Sequence, residues 1–461
     1  MTSAVRALPL PVSGRVPLAW GLSVYVWLLP FHILVVAFLF GALGWSTPVV
    51  RAIAAWKEAL IALLVTLAIL RLAIREGPTL AIQWLDLAVG GLIVLGLAYL
   101  VGAGVWFDAG LPAIAQLYGF RDAAFVALLY FVGRATPEAA TSPRHLRALF
   151  IVGAVTSVIA IFERLLVGPE LLVLLGAARY VQDFLGASAI TNANFYGLPD
   201  NYWTTIGGEL VRRAGSVYLS AQGFAIPFLL IMPAATLRVT AVERPPSRLA
   251  WLAYAVLWIA LLLTVTRLTI VACVVQTVLI LALRRRWGVL VGGGIAAGLA
   301  LLALLATSPR FAAFVWDTLT WQSGSSVSHL EDWRTGLENL LRHPLGVGLG
   351  ATEMTAFRFG LTPLAGDNQY LRFGVELGFV GLALHLAVLC GAALGGLHAW
   401  RHGRSDAVRD TGLLVSMTAL GIAINAWTAA VFNSMLLAYV FFWLAGSVTT
   451  ASARTAAPRL T

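Results

Sequence analysis

Long apolar runs separated by short polar joints make up most of the chain, and twelve of them approach the roughly 17 to 25 residues needed to cross a bilayer. They lie at about 17–43, 51–73, 79–102, 119–134, 146–166, 214–237, 247–266, 268–284, 287–306, 369–399, 412–432 and 434–450. Two polar stretches interrupt the rhythm, 167–213 and 307–368, and the second leads straight back into a membrane-length run. Within it Ser328 and Glu331 have capping-box spacing. Leu330, Trp333, Leu337, Leu340 and Leu341 follow on one helical stripe, which predicts an amphipathic helix over 328–342. His343-Pro344 ends that helix, because the residue before a proline is pushed out of the helical region. The glycines at 346, 348 and 350 then allow either a tight turn whose bare amides hold an anion or sugar, or a plain loop. A second amphipathic helix, lying on the membrane, is expected over Leu171 to Leu185.

Composition turns this pattern into a fold class. At 461 residues, 60% hydrophobic and 11% charged, the chain is too apolar for a soluble domain of its size and reads as an all-α polytopic membrane protein, one integral membrane domain over 1–461. Cys273 and Cys390 sit in separate apolar runs, which suggests neither a disulfide framework nor a metal cluster. The net charge of +10 does not point to nucleic acid, because the basic residues are scattered between the runs. They follow membrane orientation instead. With a cytoplasmic N-terminus, the joints carrying Arg71/Arg75, Arg134/Arg144/Arg147, Arg238/Arg244/Arg248, Arg284/Arg285/Arg286 and Arg401/Arg404/Arg409 all fall inside, as does Arg454. Both termini are then cytoplasmic, and 167–213 and 307–368 lie outside. The first run, after Arg6 and Arg15, exceeds twenty residues without a small-residue cleavage site, so a retained span is expected. Acidic residues show the opposite bias, with Asp108, Asp183, Glu331, Asp332, Glu353 and Asp367 among those outside.

Candidate chemistry therefore belongs on the outer side. Asn192, Asn194, Tyr196, Asp200, Tyr202 and Trp203 mix rings with amides and carboxylates, as a carbohydrate site does, or as an interfacial aromatic belt does. Arg213, Arg267 and Arg121 each stand at the outer mouth of an inward-going run, against the positive-inside trend. One such arginine is explained by snorkelling to headgroups; three at matching depth favour a lipid-phosphate site, since the guanidinium fork suits phosphate oxygens.

Four stretches in order carry a resemblance. They are Arg213-Ala214-Gly215-Ser216; Thr266-Arg267 opening a run; Trp333 through Arg342-His343-Pro344-Leu345-Gly346-Val347-Gly348; and Asp367-Asn368-Gln369-Tyr370-Leu371 before Glu376-Leu377-Gly378. Together they resemble the O-antigen ligase and O-antigen polymerase superfamily, chiefly over 213–385. The resemblance implies a C-type glycosyltransferase fold of about 12 transmembrane helices in a bacterial inner membrane, with a first periplasmic loop at 167–213 and a large one between spans 9 and 10. It further implies an inverting, metal-independent glycosyltransferase that draws on an undecaprenyl-diphosphate-linked glycan at a periplasmic active site, without a cofactor. Arg213 and Arg267, with Arg121 as a weaker match, would hold the diphosphate. Asp367 is the first candidate base and His343 the second, with Asn368, Tyr370, Arg334 and Trp333 as acceptor or sugar contacts.

The family often has His-Asn where this chain has Asp367-Asn368, a departure that favours polymerisation of O-antigen or exopolysaccharide repeat units over ligation to lipid A core. No Asp or Glu pair has metal-binding spacing, and the adjacent Glu331 and Asp332 point apart on a helix, so no metal is expected. A transporter or flippase of lipid-linked sugars is the weakest reading, because such proteins place charges at mid-membrane on broken helices or repeats. The expected partners are the lipid-linked glycan and membrane lipids, with a chain-length regulator as a further candidate.

Overall fold

The structure is a computed structural model that describes residues 18–74, 82–106, 110–241, 246–322 and 324–456. Arg6, Arg15, Arg75, Asp108 and Arg244 lie outside the described residues. Nine described helices are long and apolar enough to cross a membrane: Trp20–Ala42, Thr47–Arg71, Trp84–Gly102, Arg144–Leu166, Ala221–Val239, Trp287–Thr307, Gln369–His402, Asp406–Asn425 and Met435–Ala453. Two shorter apolar helices, Arg248–Leu263 and Arg267–Leu283, account for two more of the predicted runs. The chain is a multi-pass helical membrane protein. The remaining run, 119–134, is broken into Ala113–Phe120, a π turn over Arg121–Phe125 and Leu128–Ala135. Such a bulge widens the helix by one residue per turn, and Arg121 opens it.

Small residues let the central helices approach closely, as association within lipid requires. A Cβ on Gly133 or Gly446 would run into the backbone of the facing helix at Trp443 or Tyr130. Helix Met435–Ala456 is accordingly among the most buried of the described long elements, with Trp443 enclosed. Helix Trp287–Thr307 buries no residue, and its apolar surface all round is one that only lipid can cover.

Several expectations are corrected. The amphipathic helix runs Gly324–Arg342, so it starts four residues before Ser328, which lies inside it and is no cap. It follows helix Pro309–Leu319, which Ser308 caps by accepting from the Phe311 amide at 3.3 Å. The 171–185 stretch is no single helix: Pro169–Leu174 and Ala177–Arg179 are separated at Gly176 (φ +87°), and a π turn follows over Tyr180–Phe184. Gly176 presses against the backbone of Gly41, where no side chain would fit. Residues 203–212 form a hairpin, Trp203–Ile206 with Glu209–Arg212, a small exception to the all-helical reading. The run predicted over 412–432 ends as a helix at Asn425.

The glycine turn is the most informative correction. Helix Gln369–His402 breaks at Gly378 (φ +69°, ψ −172°), which frees the carbonyls of Val375 and Glu376. The amides of Val347 and Gly348 donate to those carbonyls at 2.9 and 3.1 Å, and the Gly350 amide serves the Glu376 carboxylate. The anion that this turn holds is the chain's own. Gly346 (φ +83°) is needed because a Cβ there would lie 2.6 Å from the Gly378 nitrogen.

Candidate functional site

Arg213 follows the 203–212 hairpin, and its backbone amide donates to the Tyr202 carbonyl at 2.7 Å. Its side chain reaches across to the turn that opens helix Arg267–Leu283. Nε donates to Thr264 O at 2.7 Å, Nη2 to Thr266 Oγ1 at 2.8 Å, and Nη1 to Asn201 O at 3.0 Å. Arg213 thus fixes the Thr266-Arg267 step. Burial, together with the neighbouring Arg267 guanidinium, pushes Arg213 down to about 10. Arg267 itself donates to Thr318 Oγ1 at 3.0 Å and lies 5.8 Å from the Phe314 ring. Two guanidinium groups held side by side at a helix N-terminus form a strong anion-attracting position.

Asp367 approaches the same place from another segment. Asn368, not Asp367, caps the following helix: its Oδ1 accepts from the Leu371 amide at 3.0 Å, while Nδ2 donates to Trp427 O at 3.2 Å. With the cap supplied, the Asp367 carboxylate is left for other work. Burial and the nearby Asp332 carboxylate push it up to about 6, against a hydrogen bond from the Gln222 side chain that favours the charged form. Asp332 lies over Gly366, where a Cβ would overlap its carboxylate. One turn before it, His329 shares the helix face. Burial lowers the His329 imidazole, with Asp332 pulling the other way and Arg267 adding to the fall, so the ring is neutral at pH 7 with Nδ1 buried and making no hydrogen bond. Arg213 and Arg267, Arg267 and His329, His329 and Asp332, and Asp332 and Asp367 are thus each close enough to act on one another electrostatically.

Residues 252–386 match the family model described as O-antigen ligase (Wzy_C). Every member of the cluster except Arg213 and Gln222 lies within that stretch. The match supports the likeness to the O-antigen ligase and polymerase superfamily over that stretch. A domain of this kind supports glycosyltransferase activity of the O-antigen ligase type. No curated protein matches the chain.

Aromatic residues stand beside the cluster. Trp333 Nε1 donates to Trp427 O at 2.8 Å, and its ring lies 5.8 Å from Trp321 and 5.7 Å from Trp427. Tyr370 adds a ring 5.2 Å from Trp427 and anchors its hydroxyl on Ala423 O at 2.6 Å. Trp321 and Trp427 are half exposed, so the group is a shelf as well as a core. Arg334, by contrast, is exposed and pairs with Glu338 at 3.0 Å. His343 is also exposed, roughly 20 Å along the helix from His329 at 1.5 Å per residue; the structure leaves it as a helix end, with its amide on Asn339 O at 2.9 Å. Tyr202 is enclosed beneath Gly215, and Trp203 stacks on Phe195 at 4.4 Å, so these rings of the 190–209 stretch build the hairpin.

Arg121 is set apart. It lines a cavity to which neither Arg213 nor Arg267 contributes. Between the two places lies a buried network that the sequence reading did not anticipate, in which Arg372 faces Glu353 at 3.6 Å, Glu376 at 3.9 Å and Asn433 at 2.6 Å. His329, Asp332 and Gln222 were likewise missed as site residues; the i, i+3 spacing of His329 and Asp332 was the available signal.

Gly366 offers a direct check on this geometry. Gly366→Ala should leave the thermal unfolding temperature nearly unchanged, because a side-chain carboxylate can swing aside. Turnover should fall about 10- to 100-fold as Asp332 leaves Asp367. Transfer at the wild-type rate would show that the pairing is incidental.

Proposed function

We propose that the chain is an inverting, metal-independent polymerase of O-antigen or exopolysaccharide repeat units, acting on undecaprenyl-diphosphate-linked glycan at the periplasmic face of a bacterial inner membrane. The observation that carries this reading is the Asp367 carboxylate, released from capping by Asn368 and adjoining the Arg213–Arg267 pair through Asp332 and His329. A glycosyl diphosphate has a good leaving group already. What remains is to neutralise charge growing on the departing diphosphate and to aim the acceptor hydroxyl at the opposite face of the sugar. Arg213 and Arg267 serve the first need. For the second, Asp367 takes the acceptor proton as the new C–O bond forms at the anomeric carbon and the old C–O bond to phosphate breaks, its electron pair leaving on the lipid diphosphate. The shelf of Trp333, Tyr370 and Trp427 suits the apolar face of an acceptor sugar, with Asn368 holding Trp427 in place.

Polymerisation is preferred to ligation because a carboxylate stands where the ligase branch has histidine. Supplying the purified chain with lipid-linked repeat units alone tests this, since a polymerase yields a ladder of products. Product formed only when lipid A core is added would reverse the preference.

The orientation is open to a separate test. In a Cys390→Ser background, the exposed position of Arg334→Cys should react with a membrane-impermeant maleimide in intact spheroplasts. Reaction only after lysis would place the cluster on the cytoplasmic side.

A further inference from the structure

The cavity beside Arg121 has a volume of about 640 Å³ and is lined by Arg51, Lys57, Arg121 and Arg358 against Glu58 and Asp122 as its acidic residues. Both acids are already engaged. Lys57 Nζ bonds Glu58 at 3.0 Å, and Arg121 Nε bonds Asp122 at 2.7 Å with Nη1 3.9 Å from Glu58. Arg51 and Arg358 form no ion pair among the described residues and rest on rings instead. Arg358 lies 4.4 Å from the Tyr118 ring, which also carries Arg121 at 4.7 Å, and Arg51 lies 5.9 Å from Phe184. Burial lowers Arg358 from its ordinary value, and the facing Arg121 and Arg51 guanidinium groups lower it further, although Tyr118 and Tyr180 act in the opposite sense. Three mutually repelling guanidinium groups with two carboxylates among them and Lys57 leave an excess of positive charge that an anion would relieve.

The rim says what kind of anion. Ile114 and Leu117 line the cavity while remaining half exposed, so its wall is continuous with the apolar surface that lipid covers. The volume exceeds what a bare phosphate occupies and matches that of a drug-sized ligand. Guanidinium forks bind phosphate oxygens in pairs, and their aromatic backing here holds them pre-aimed.

We propose that this cavity holds the phosphate or diphosphate head group of a second lipid-linked substrate, the acceptor, while Arg213 and Arg267 hold the donor. The proposal rests on the glycosyl-transfer reading above and deepens it, because joining two lipid-linked saccharides requires two head groups to be bound at once. Asn433 connects the places: it lines the cavity, and it also contacts Arg372 and Glu353 of the buried network.

Native mass spectrometry of the full chain in maltoside detergent, with undecaprenyl diphosphate as probe, counts the bound lipids. Wild type should carry two. Arg51→Gln/Arg358→Gln should carry one, and so should Arg213→Gln/Arg267→Gln. Two lipids retained by the cavity variant, or one lipid in wild type, would overturn the proposal. Two lipids retained by the Arg213/Arg267 variant alone would instead remove the donor assignment and leave the cavity standing. Should the Gln variant of the cavity lose both lipids, Arg51→Lys/Arg358→Lys decides: two bound lipids support the cavity, and none overturns it as a separate site. Excess inorganic pyrophosphate should displace neither lipid, and selective release from the cavity would mark it as a site for a free anion.

Discussion

Replacing Asp367 by Asn is expected to lower glycosyl transfer by about 10²- to 10⁴-fold, the range associated with losing a positioned general base. Lipid-diphosphate binding should persist, since Arg213 and Arg267 are untouched. The substitution isolates proton acceptance because Asn keeps the size and polarity of Asp, and because the helix is capped by Asn368, whose Oδ1 holds the Leu371 amide at 3.0 Å. Folding should therefore be unaffected. The Gln222 hydrogen bond, which favours the charged carboxylate, has a partner in Asn as well. Product formation at near wild-type rate by Asp367→Asn would exclude Asp367 as the base. His329, whose buried Nδ1 makes no hydrogen bond, would become the next candidate.

Arg267→Ala should cost about 10²- to 10³-fold in transfer, comparable to removing one preorganised donor from a developing anion. Arg267→Lys should recover only part of it, because an ammonium keeps the charge but lacks the planar fork. Arg213 is predicted to behave differently. All three of its side-chain nitrogens donate within the protein, to Thr264, Thr266 and Asn201. Its loss should loosen the Thr266-Arg267 turn, raising the lipid concentration needed for half-saturation as well as lowering the rate. Unchanged transfer in both variants would remove the diphosphate site from this end of the molecule.

The membrane architecture was legible because hydropathy is a local property, and apolar runs correspond to the observed helices even where boundaries shift. Arg213 and Arg267 stood out for a different reason: they violate the charge bias of the joints, and the fold makes them neighbours. Asp367 stood out through its place before Asn368 and Glu376-Leu377-Gly378. The rest depended on chain geometry that no local pattern encodes. Helix Gly324–Arg342 brings His329 and Asp332 to the cluster at its first turns and carries His343 away at its last, so proximity in sequence to the glycine turn misled. Those glycines read as a cradle for a ligand or as a plain loop, and their amides go to the chain itself: Gly346 to His343 O at 2.8 Å, Gly348 to Glu376 O at 3.1 Å and Gly350 to the Glu376 carboxylate. Arg51 and Arg358 are some three hundred residues apart in sequence and meet only in the folded bundle, where Arg121, grouped with Arg213 by depth alone, lines the same cavity.

The most direct test of the central claim, that the Asp332–Asp367 pair beside the arginines performs the transfer, is the pH dependence of undecaprenyl diphosphate release by the purified chain. Asp367 is raised to about 6 by burial and by Asp332, and a base works only when deprotonated. Release should therefore be complete above that value and fall as the pH drops through about 6. Asp332→Asn removes the neighbouring negative charge, so Asp367 should ionise more readily and the acid limb should move to lower pH. An acid limb that stays in place in Asp332→Asn, or that persists with full activity in Asp367→Asn, would contradict the assignment.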